Sequence, residues 1–217
     1  MSAELSSKRS STAKDPSLAK ASMKQTTRLA VFVSGTGRHL ENLAELAKGG
    51  ELDIEIALVI ADRAGIAALD RAKRFDIPSH VIDPERELDM STFSTRAFAA
   101  IDAADCDLII LAGFLRKLDI PAKWDGRALN IHPSLLPAFG GKGFWGHHVH
   151  RAVLKRGCKL SGCTVHYVDD EYDHGPILVQ RAVPVEPNDD ESALAARVFE
   201  AELEALPAAI RAHVAGE

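Results

Sequence analysis

Two side chains suited to acyl chemistry, Asn130 and His132, are separated by one residue in the stretch Asn-Ile-His-Pro-Ser-Leu-Leu-Pro. In an extended strand, residues two apart point to the same face, so the amide and the imidazole project side by side. An amide donates hydrogen bonds without changing its charge, whereas an imidazole exchanges a proton near neutral pH. The pair suits a reaction in which Asn130 stabilises an oxyanion and His132 handles the proton. A polar strand end stiffened by Pro133 and Pro137 is the structural alternative.

A glycine-rich turn lies between the apolar run Leu29–Val33 and a pattern typical of an amphipathic helix. Backbone N–H groups in such a turn, and at the start of the following helix, form a cradle for anions. The turn, Ser34–His39, contains Gly35 and Gly37, but Leu40 stands where a dinucleotide-binding fingerprint has its third glycine. The turn therefore predicts phosphate binding rather than a nicotinamide cofactor, with a plain tight turn as the alternative.

Apolar runs of strand length alternate with amphipathic helical patterns over most of the chain. Near-continuous apolar runs are typical of parallel strands that helices cover on both faces. We therefore predict an α/β fold, a single doubly wound, mostly parallel sheet with helices on both faces, in a Rossmann-like arrangement. The predicted strands are 29–33, 54–60, 79–82, 107–111, 127–129, 160–168 (antiparallel or at an edge) and 177–185, and the predicted helices are 40–48, 64–75, 91–104, 147–156 and 191–214, the last with an expected break at Pro207.

Three loops should meet at one edge of this sheet. The loops Ser34–His39, Gly113–Leu118 and Asn130–Pro137 each follow a predicted strand. Ligands of doubly wound sheets bind beyond the carboxyl ends of the strands, so we expect these loops to line one crevice. A later glycine-rich loop with aromatic residues, Ala138–Gly146, is typical of a mobile flap or of close backbone approach to a ligand.

The composition fits one sizeable globular domain. The chain has 217 residues, of which 46% are hydrophobic, and a formal net charge of -5. A mildly acidic total argues against nucleic-acid binding, because nucleic-acid-binding domains are usually strongly basic. No apolar run approaches the roughly 18 residues of a membrane span. The cysteines Cys106, Cys158 and Cys163 have no metal-binding spacing, so we expect buried free thiols in a reducing cytoplasm.

The amino-terminal segment differs from the rest of the chain in composition. Residues 1–27 carry a net charge of +3, against -8 for the remainder, and include few large apolar residues. Such a segment buries too little apolar surface to order itself, so we expect a flexible tail over 1–27 and a folded domain over 28–217. Residues 1–26 should be dispensable. A basic, serine-rich tail also fits an organelle transit peptide, although this one holds a single arginine.

Two motifs resemble those of the formyltransferases that use 10-formyltetrahydrofolate. The first is Asn-x-His-Pro-Ser-Leu-Leu-Pro at residues 130–137. The second, at residues 162–176, is Gly-x-Thr-Val-His-x-Val followed after four residues by Asp-x-Gly-Pro. The Ser-Gly-x-Gly opening at residues 34–37 is similar to the branch of the family that formylates glycinamide ribonucleotide. The resemblance covers residues 28–217 and implies a Rossmann-like formyltransferase fold.

The resemblance also implies roles for particular residues. The catalytic residues are Asn130, His132 and Asp173; the substrate-binding residues are Gly37, Arg38, His39 and Glu202; the folate-binding residues are Arg96, Arg116, Leu118, Asp169 and Asp170. The family usually has Gly-Ser-Asn where this chain has Gly-Arg-His, so the backbone cradle is kept while the side chains differ. The loop Phe139–His148 is longer than in better-known members, and its contacts do not transfer.

The implied reaction moves a formyl group from 10-formyltetrahydrofolate to the primary amine of glycinamide ribonucleotide, a step of de novo purine synthesis. Attack of the amine on the formyl carbon creates an oxyanion, which Asn130 and a protonated His132 could stabilise. Asp173 could relay the proton, and its charge should raise the pKa of His132. We expect no metal, no nucleic acid, no membrane and no protein partner beyond a second copy, so that the enzyme is a monomer or homodimer.

Three other functions remain possible from the sequence. Formyl transfer to another amine, such as that of a sugar nucleotide, would use the same motifs. A metallohydrolase could use His147 and His150, which lie three residues apart, but no HExxH or Cys/His spacing accompanies them. A ligand-binding protein without activity is the third, although all three catalytic positions are filled. We expect His166 to support the catalytic group, and His147 and His148 to lie on the surface or in a loop.

Overall fold

The computed structural model describes residues 26–83 and 90–216. Seven strands form its central sheet: β1 (Thr27–Val33), β2 (Ile54–Ala61), β3 (Ser79–Val81), β4 (Leu108–Leu111), β5 (Ala128–His132), β6 (Leu160–Tyr167) and β7 (Ile177–Pro184). Their order is β3-β2-β1-β4-β5-β6-β7. The five strands from β3 to β5 are parallel, whereas β6 is antiparallel to β5 and β7 is antiparallel to β6. The predicted mostly parallel sheet is confirmed.

Helices cover both faces of this sheet: α1 (Arg38–Lys48), α2 (Ala67–Arg74), α3 (Met90–Ala103), α4 (His147–Arg156) and α5 (Glu191–Ala215). One core cluster packs α1, α2, α4 and α5 against one face, and a second packs α3 against the other. Alternate residues of β1 belong to the two clusters, because successive side chains of a strand point to opposite faces. The near-continuous apolar sequence of β1 therefore reflects burial on both sides.

The direction of strand addition changes at β1. Strand β2 pairs with one edge of β1 and β4 with the other, both in parallel. A doubly wound sheet has a crevice at this switch point, beyond the carboxyl ends of the strands. Strand β5 is the next neighbour of β4, so its end, with Asn130 and His132, opens onto the same edge.

Tertiary hydrogen bonds hold the loop that follows β5. The Thr164 hydroxyl donates to the Ser134 carbonyl oxygen at 2.7 Å and accepts from the Leu136 N–H at 3.0 Å. Gln180, on β7, donates from its amide nitrogen to the Thr164 hydroxyl at 2.9 Å and to the Leu136 carbonyl oxygen at 3.0 Å. Thr164 is fully buried. The two antiparallel strands thus position this loop in addition to its prolines.

The predicted break of the last helix at Pro207 is wrong. Helix α5 continues through Pro207 to Ala215. A proline has no N–H, so it leaves the carbonyl group four residues earlier without its helical partner. In this structure the side-chain amide of Asn42, on α1, donates to the Leu203 carbonyl oxygen at 3.0 Å. A tertiary contact replaces the missing helical bond, and the helix remains continuous.

Among the described elements, six starts differ from the predicted ones by one to three residues. Helix α2 begins at Ala67 rather than residue 64, because Gly65 has a φ angle of 72°, which lies outside the right-handed helix. Strand β1 begins at Thr27, one residue before the expected domain start. The Thr26 hydroxyl donates to an Asp53 carboxylate oxygen at 3.0 Å. Residues 1–25 lie outside the described residues, so the flexible tail remains a prediction for them.

The three cysteines are free thiols, as predicted. Cys106 and Cys163 are buried, whereas Cys158 is half-buried. Burial raises the pKa of Cys106 to about 11 and that of Cys163 to about 12, so both remain protonated at neutral pH. Over the described ranges, no helix combines the length and apolar character needed to cross a bilayer.

Candidate active site

A cavity with a volume of about 340 Å³ lies at the carboxyl ends of the parallel strands. Its walls include residues from all three loops expected there: Arg38 and His39, Gly113–Leu118, and Asn130–Pro133. The turn around Asp173, one face of α5 and the glycine-rich loop before α4 complete the lining. The predicted convergence of the three loops is confirmed.

The expected catalytic residues meet at one carboxylate oxygen. Asp173 Oδ1 lies 3.4 Å from Asn130 Nδ2 and 3.4 Å from His132 Nδ1. Asn130 and His132 share a strand, but Asp173 comes from a turn 41 residues beyond His132. That turn is held close to β6: a Cβ at Gly175 would stand 2.0 Å from the Tyr167 carbonyl oxygen, so only glycine fits there. The structure brings the three residues together.

His132 is placed between two acceptors. Its Nε2 lies 2.9 Å from the Phe139 carbonyl oxygen, which can only accept, so Nε2 carries a proton. Its Nδ1 faces the Asp173 carboxylate. Burial lowers the pKa of His132, and although the charge of Asp173 and the Phe139 carbonyl raise it, the pKa remains below the ordinary value. The sequence prediction that Asp173 raises the pKa of His132 has the right direction, but it did not include the larger, opposite effect of burial on that pKa.

Asp173 is held in its charged form. Burial raises its pKa, but the imidazoles of His166 and His132 and the N–H of Gly141 outweigh burial and keep the pKa below the ordinary value. The Gly141 N–H donates to Asp173 Oδ2 at 2.9 Å. The residue has a positive φ of 54°, a conformation that aspartate and asparagine tolerate better than most residues. Asp173 is therefore an ionised group in a site that is largely shielded from water.

His166 orients the amide of Asn130, its partner across the β5–β6 ladder. His166 Nδ1 lies 2.8 Å from the Tyr167 carbonyl oxygen and must donate to it. In the neutral ring, Nε2 is then an acceptor, and it lies 3.1 Å from Asn130 Nδ2. This contact directs the amide nitrogen of Asn130 toward His166 and Asp173. The expected supporting role of His166 agrees with this geometry.

The expected phosphate cradle lies at the start of α1. Gly37, the N-cap residue, has a φ of 73°, and no side chain caps the first turn. A Cβ at Gly37 would stand 2.7 Å from the Ala68 Cα, so glycine also permits close packing against α2. His39 Nε2 lies 2.9 Å from Glu202 Oε2, and this half-buried histidine and buried glutamate both line the cavity. Two of the expected substrate-binding side chains thus contact each other.

The expected folate-binding residues fall into two groups. Arg116, Leu118 and Asp169 line the cavity. The Arg116 guanidinium lies 3.5 Å from the buried Asp62 carboxylate, and Asp169 lies 2.7 Å from His174 Nδ1. Asp170 and Arg96 are exposed and do not line the cavity. The structure therefore places only part of the expected folate set around one space.

Several residues of the cavity wall are not among the catalytic, substrate-binding or folate-binding residues predicted from the sequence. His150 is buried, burial lowers its pKa, and its Nδ1 has no hydrogen-bond partner within the described ranges. Phe199 contacts the side chains of both Arg38 and His39. The loop Phe139–His148 contributes the Gly141 N–H to Asp173, and the exposed Trp145 also lines the cavity. Its glycine and aromatic content was the only signal in the sequence. His147 and His148 are exposed, as expected.

The histidines do not assemble a metal site in the part of the chain that the structure describes. No group of three or more histidine, cysteine, aspartate or glutamate side chains is arranged there to hold a metal ion. An amide, an imidazole and an ionised carboxylate instead surround one point of the cavity. In a doubly wound α/β fold, this arrangement suits a transferase that stabilises an oxyanion and moves a proton.

Comparison with known proteins identifies the family. Residues 27–210 match the family model described as formyl transferase, so the chain belongs to the formyl transferase family. The computed structure superposes on the crystal structure of glycinamide ribonucleotide transformylase 1 from Symbiobacterium toebii with a TM-score of 0.83 and 36% sequence identity, covering 88% of this chain and 89% of the other.

Two curated relatives are longer than this chain. The chain is 41% identical over 191 residues to the trifunctional purine biosynthetic protein adenosine-3 of Gallus gallus, an alignment that covers 87% of this chain and 18% of that protein. It is 36% identical over 177 residues to the chloroplastic phosphoribosylglycinamide formyltransferase of Vigna unguiculata, which covers 81% of this chain and 57% of the plant protein. The chain thus spans about a fifth of the first relative and just over half of the second.

Proposed function

We propose that this chain transfers the formyl group of 10-formyltetrahydrofolate to the primary amine of glycinamide ribonucleotide, in de novo purine synthesis. The observation that carries the proposal is the meeting of Asn130, His132 and Asp173 at one oxygen atom in the wall of the cavity. The names of the relatives support the same reaction. Both substrates are small molecules, and a cavity of about 340 Å³ lies within the usual size range of small-molecule sites.

In the proposed reaction, the amine nitrogen attacks the formyl carbon, a new C–N bond forms, and negative charge develops on the formyl oxygen. The contact from Asn130 Nδ2 to Asp173 is long for a hydrogen bond, at 3.4 Å, so this N–H is available to the oxyanion. The bond from the carbon to folate N10 then breaks. The proton lost by the attacking amine is delivered to N10, and the ionised Asp173 serves as the relay, directly or through water.

The ribonucleotide is proposed to occupy the side of the cavity formed by α1 and α5. Its phosphate accepts hydrogen bonds from the N–H groups at the start of α1, beside Gly37, Arg38 and His39. Glu202 accepts from the ribose or the amine. A valine at Gly37 would collide with α2 and disturb folding, so Arg38→Ala tests the phosphate site more cleanly than Gly37→Val.

The folate is proposed to occupy the opposite side. Arg116 and Leu118 contact the pterin with the turn that contains Asp169 and Asp170. Arg96, on the exposed face of α3, lies outside the cavity and is proposed to reach the negatively charged tail of the folate. The enzyme is proposed to act in the cytoplasm, as a monomer or homodimer, without a metal ion.

One assay tests the proposal. Purified protein is given 10-formyltetrahydrofolate and glycinamide ribonucleotide, and product is measured by mass spectrometry. The controls are Asn130→Ala and an amino-sugar nucleotide offered as the competing acceptor. We expect formylated glycinamide ribonucleotide from the wild type and little from the variant. Preferential formylation of the sugar nucleotide would redirect the assignment to another acceptor, and transfer to neither amine would reject it.

A further inference from the structure

Arg38 is an unusual cation, because its contact is an aromatic ring rather than a carboxylate. The guanidinium carbon lies 3.5 Å from the centre of the Phe199 ring. In the part of the chain that the structure describes, no carboxylate oxygen lies within 4.0 Å of this guanidinium. The side chain is exposed and lines the cavity beside the uncapped first turn of α1. The guanidinium and the N–H groups of the uncapped turn thus bring positive charge to this end of the cavity, where the carboxylate of Glu202 is bonded to His39 rather than to Arg38.

Phe199 belongs to a small framework between α1 and α5. Its ring also contacts the imidazole of His39, with the ring centres 4.9 Å apart. His39 is in turn bonded to Glu202, which lies three residues after Phe199 on the same face of α5. The two α5 residues therefore hold the first two side chains of α1. The imidazole of His39 is hydrogen-bonded to Glu202, whereas the guanidinium of Arg38 contacts an aromatic ring and can bind an anion.

We propose that Phe199 is a positioning residue for the substrate's phosphate: it holds the Arg38 guanidinium against its ring, at the start of α1, so that the phosphate meets a preoriented cation. An arginine has many rotamers, and fixing it before binding reduces the entropy lost when the phosphate is bound. Stacking leaves the N–H edge of the guanidinium free to donate to phosphate oxygens. This inference rests on the proposed function, because it names the group that the cavity distinguishes in its substrate.

The proposal predicts a change in affinity for the ribonucleotide alone. Phe199→Leu removes the aromatic face and should raise KM for glycinamide ribonucleotide about 2- to 5-fold, the size of an exposed cation–π contact. Arg38→Ala should raise it by about 10- to 100-fold. The KM for 10-formyltetrahydrofolate and kcat should change little in both variants. Phe199→Tyr keeps the aromatic face and should restore the wild-type KM.

A double-mutant cycle separates positioning from general packing. If Phe199 acts through Arg38, Phe199→Leu should have no further effect on KM in the Arg38→Ala background. Phe75→Leu is the matched control, because Phe75 is also half-buried, follows the end of α2 and does not line the cavity. Additive effects of the two substitutions, or an equal rise in the folate KM, would overturn the proposal.

Isothermal titration calorimetry with ribose 5-phosphate, and with ribose as the control ligand, tests the role of Phe199 in phosphate binding without turnover. We expect ribose 5-phosphate to bind the wild type and to bind Phe199→Leu about 2- to 5-fold more weakly. Ribose should not distinguish the two proteins. This measurement still applies if the formyl-transfer assay fails, so the two proposals can fail separately. Equal affinity of both proteins for ribose 5-phosphate, or no binding to the wild type, would reject the role of Phe199.

Discussion

At the level of single side chains, the site contains two ionisable groups that face each other, Asp173 and His132, and their surroundings shift the two pKa values by different causes. The Gly141 N–H donates to the Asp173 carboxylate at 2.9 Å, and the pKa of Asp173 lies below its ordinary value. His132 is buried, so its pKa lies below the ordinary value in spite of the facing carboxylate. The two residues form a coupled pair, in which a change of charge on one changes the pKa of the other. Asn130 has no proton to exchange near neutral pH.

This coupling gives a prediction for Asp173→Asn. The substitution removes the charge and the proton acceptor at nearly constant shape, and asparagine tolerates the positive φ of this position. We expect turnover to fall by on the order of 100-fold or more, the scale of general acid–base catalysis, with little change in either KM. Because Asp173 raises the pKa of His132, that pKa should fall further in the variant. Steady-state kinetics and NMR titration of His132 measure the two effects.

Asn130→Ala is the matched comparison for Asp173→Asn. It should also lose turnover, because an oxyanion donor is removed. The shape of its rate profile against pH should stay closer to that of the wild type, since the charge of Asp173 remains. Near-normal turnover of Asp173→Asn would show that Asp173 is only a structural turn residue, and the proposed mechanism would then be wrong.

Among the secondary-structure elements, two tertiary contacts have consequences that can be measured. Thr164, on β6, forms hydrogen bonds with backbone groups of the loop that follows β5. Asn42, on α1, satisfies the carbonyl group that Pro207 leaves open in α5. In both cases a polar side chain of one element supplies a bond that the backbone of another element lacks. These contacts connect the geometry of the site to the stability of the fold.

Thr164→Val should destabilise the protein. Valine has a similar shape but no hydroxyl group, so the Leu136 N–H loses its buried partner and the Ser134 carbonyl loses its donor. We expect the free energy of unfolding to fall by about 1–3 kcal/mol, as measured by urea titration. Thr164→Ser keeps the hydroxyl group and should lose less. A loss for Thr164→Val no larger than that for Thr164→Ser would show that the hydroxyl group stabilises the fold no more than the methyl group does.

The Asn42 contact predicts an energetic coupling with Pro207. Asn42→Ala should lower the free energy of unfolding by about 1 kcal/mol, because the Leu203 carbonyl loses its donor. Pro207→Ala restores a backbone N–H, which can complete the helical bond to the same carbonyl. In that background Asn42→Ala should lose less stability. Additive losses in the double variant would show that the Asn42 contact does not replace the helical bond.

Considered as one molecule, the protein buries several histidines on folding. Burial lowers the pKa of His132, His150 and His213. At these positions the unfolded chain takes up protons as the pH falls through the ordinary histidine pKa of 6.5, whereas the folded chain binds them less readily. Asp169 raises the pKa of the exposed His174. At this one position the folded chain binds a proton more readily than the unfolded chain, so His174 stabilises the fold as the pH falls. The buried groups outnumber it and dominate the pH dependence.

The free energy of unfolding should therefore decrease as the pH is lowered from about 7 to about 5. Urea titrations at several pH values measure this slope. His150→Gln removes one buried imidazole and should make the slope shallower, and a variant of the exposed His148 is the matched control for the loss of a histidine. A stability that rises toward acid pH would contradict the prediction. The carboxylates with lowered pKa values, such as Asp62 and Asp173, should lose their contribution only at more acid pH.

The amino-terminal segment gives a prediction for a shortened protein. The first described contact is that of Thr26 with Asp53, and β1 begins at Thr27. Deletion of residues 1–25 should leave the unfolding temperature and the formyl-transfer rate unchanged, because the segment contains few large apolar residues. Differential scanning calorimetry and the transfer assay measure both quantities. A marked loss of either would show that the segment contributes to the folded enzyme.

The sequence by itself determined the features that depend on neighbouring residues. Apolar runs and amphipathic periods predicted the seven strands and five α-helices of the described residues, because hydrophobic spacing reports the local backbone geometry. The spacing of two residues placed Asn130 beside His132, and the loops predicted to follow the parallel strands line one cavity. The two motifs predicted the family to which residues 27–210 belong.

Only the tertiary structure decided the features that depend on residues distant in sequence. Desolvation sets the pKa of His132, and no local pattern reveals how deeply a side chain is buried. The stacking of Arg38 on Phe199 joins the first helix to the last. The continuity of α5 through Pro207 depends on Asn42, on a different helix. Packing determines which distant groups meet and how much water they lose, and those two quantities set the charge and geometry of the site.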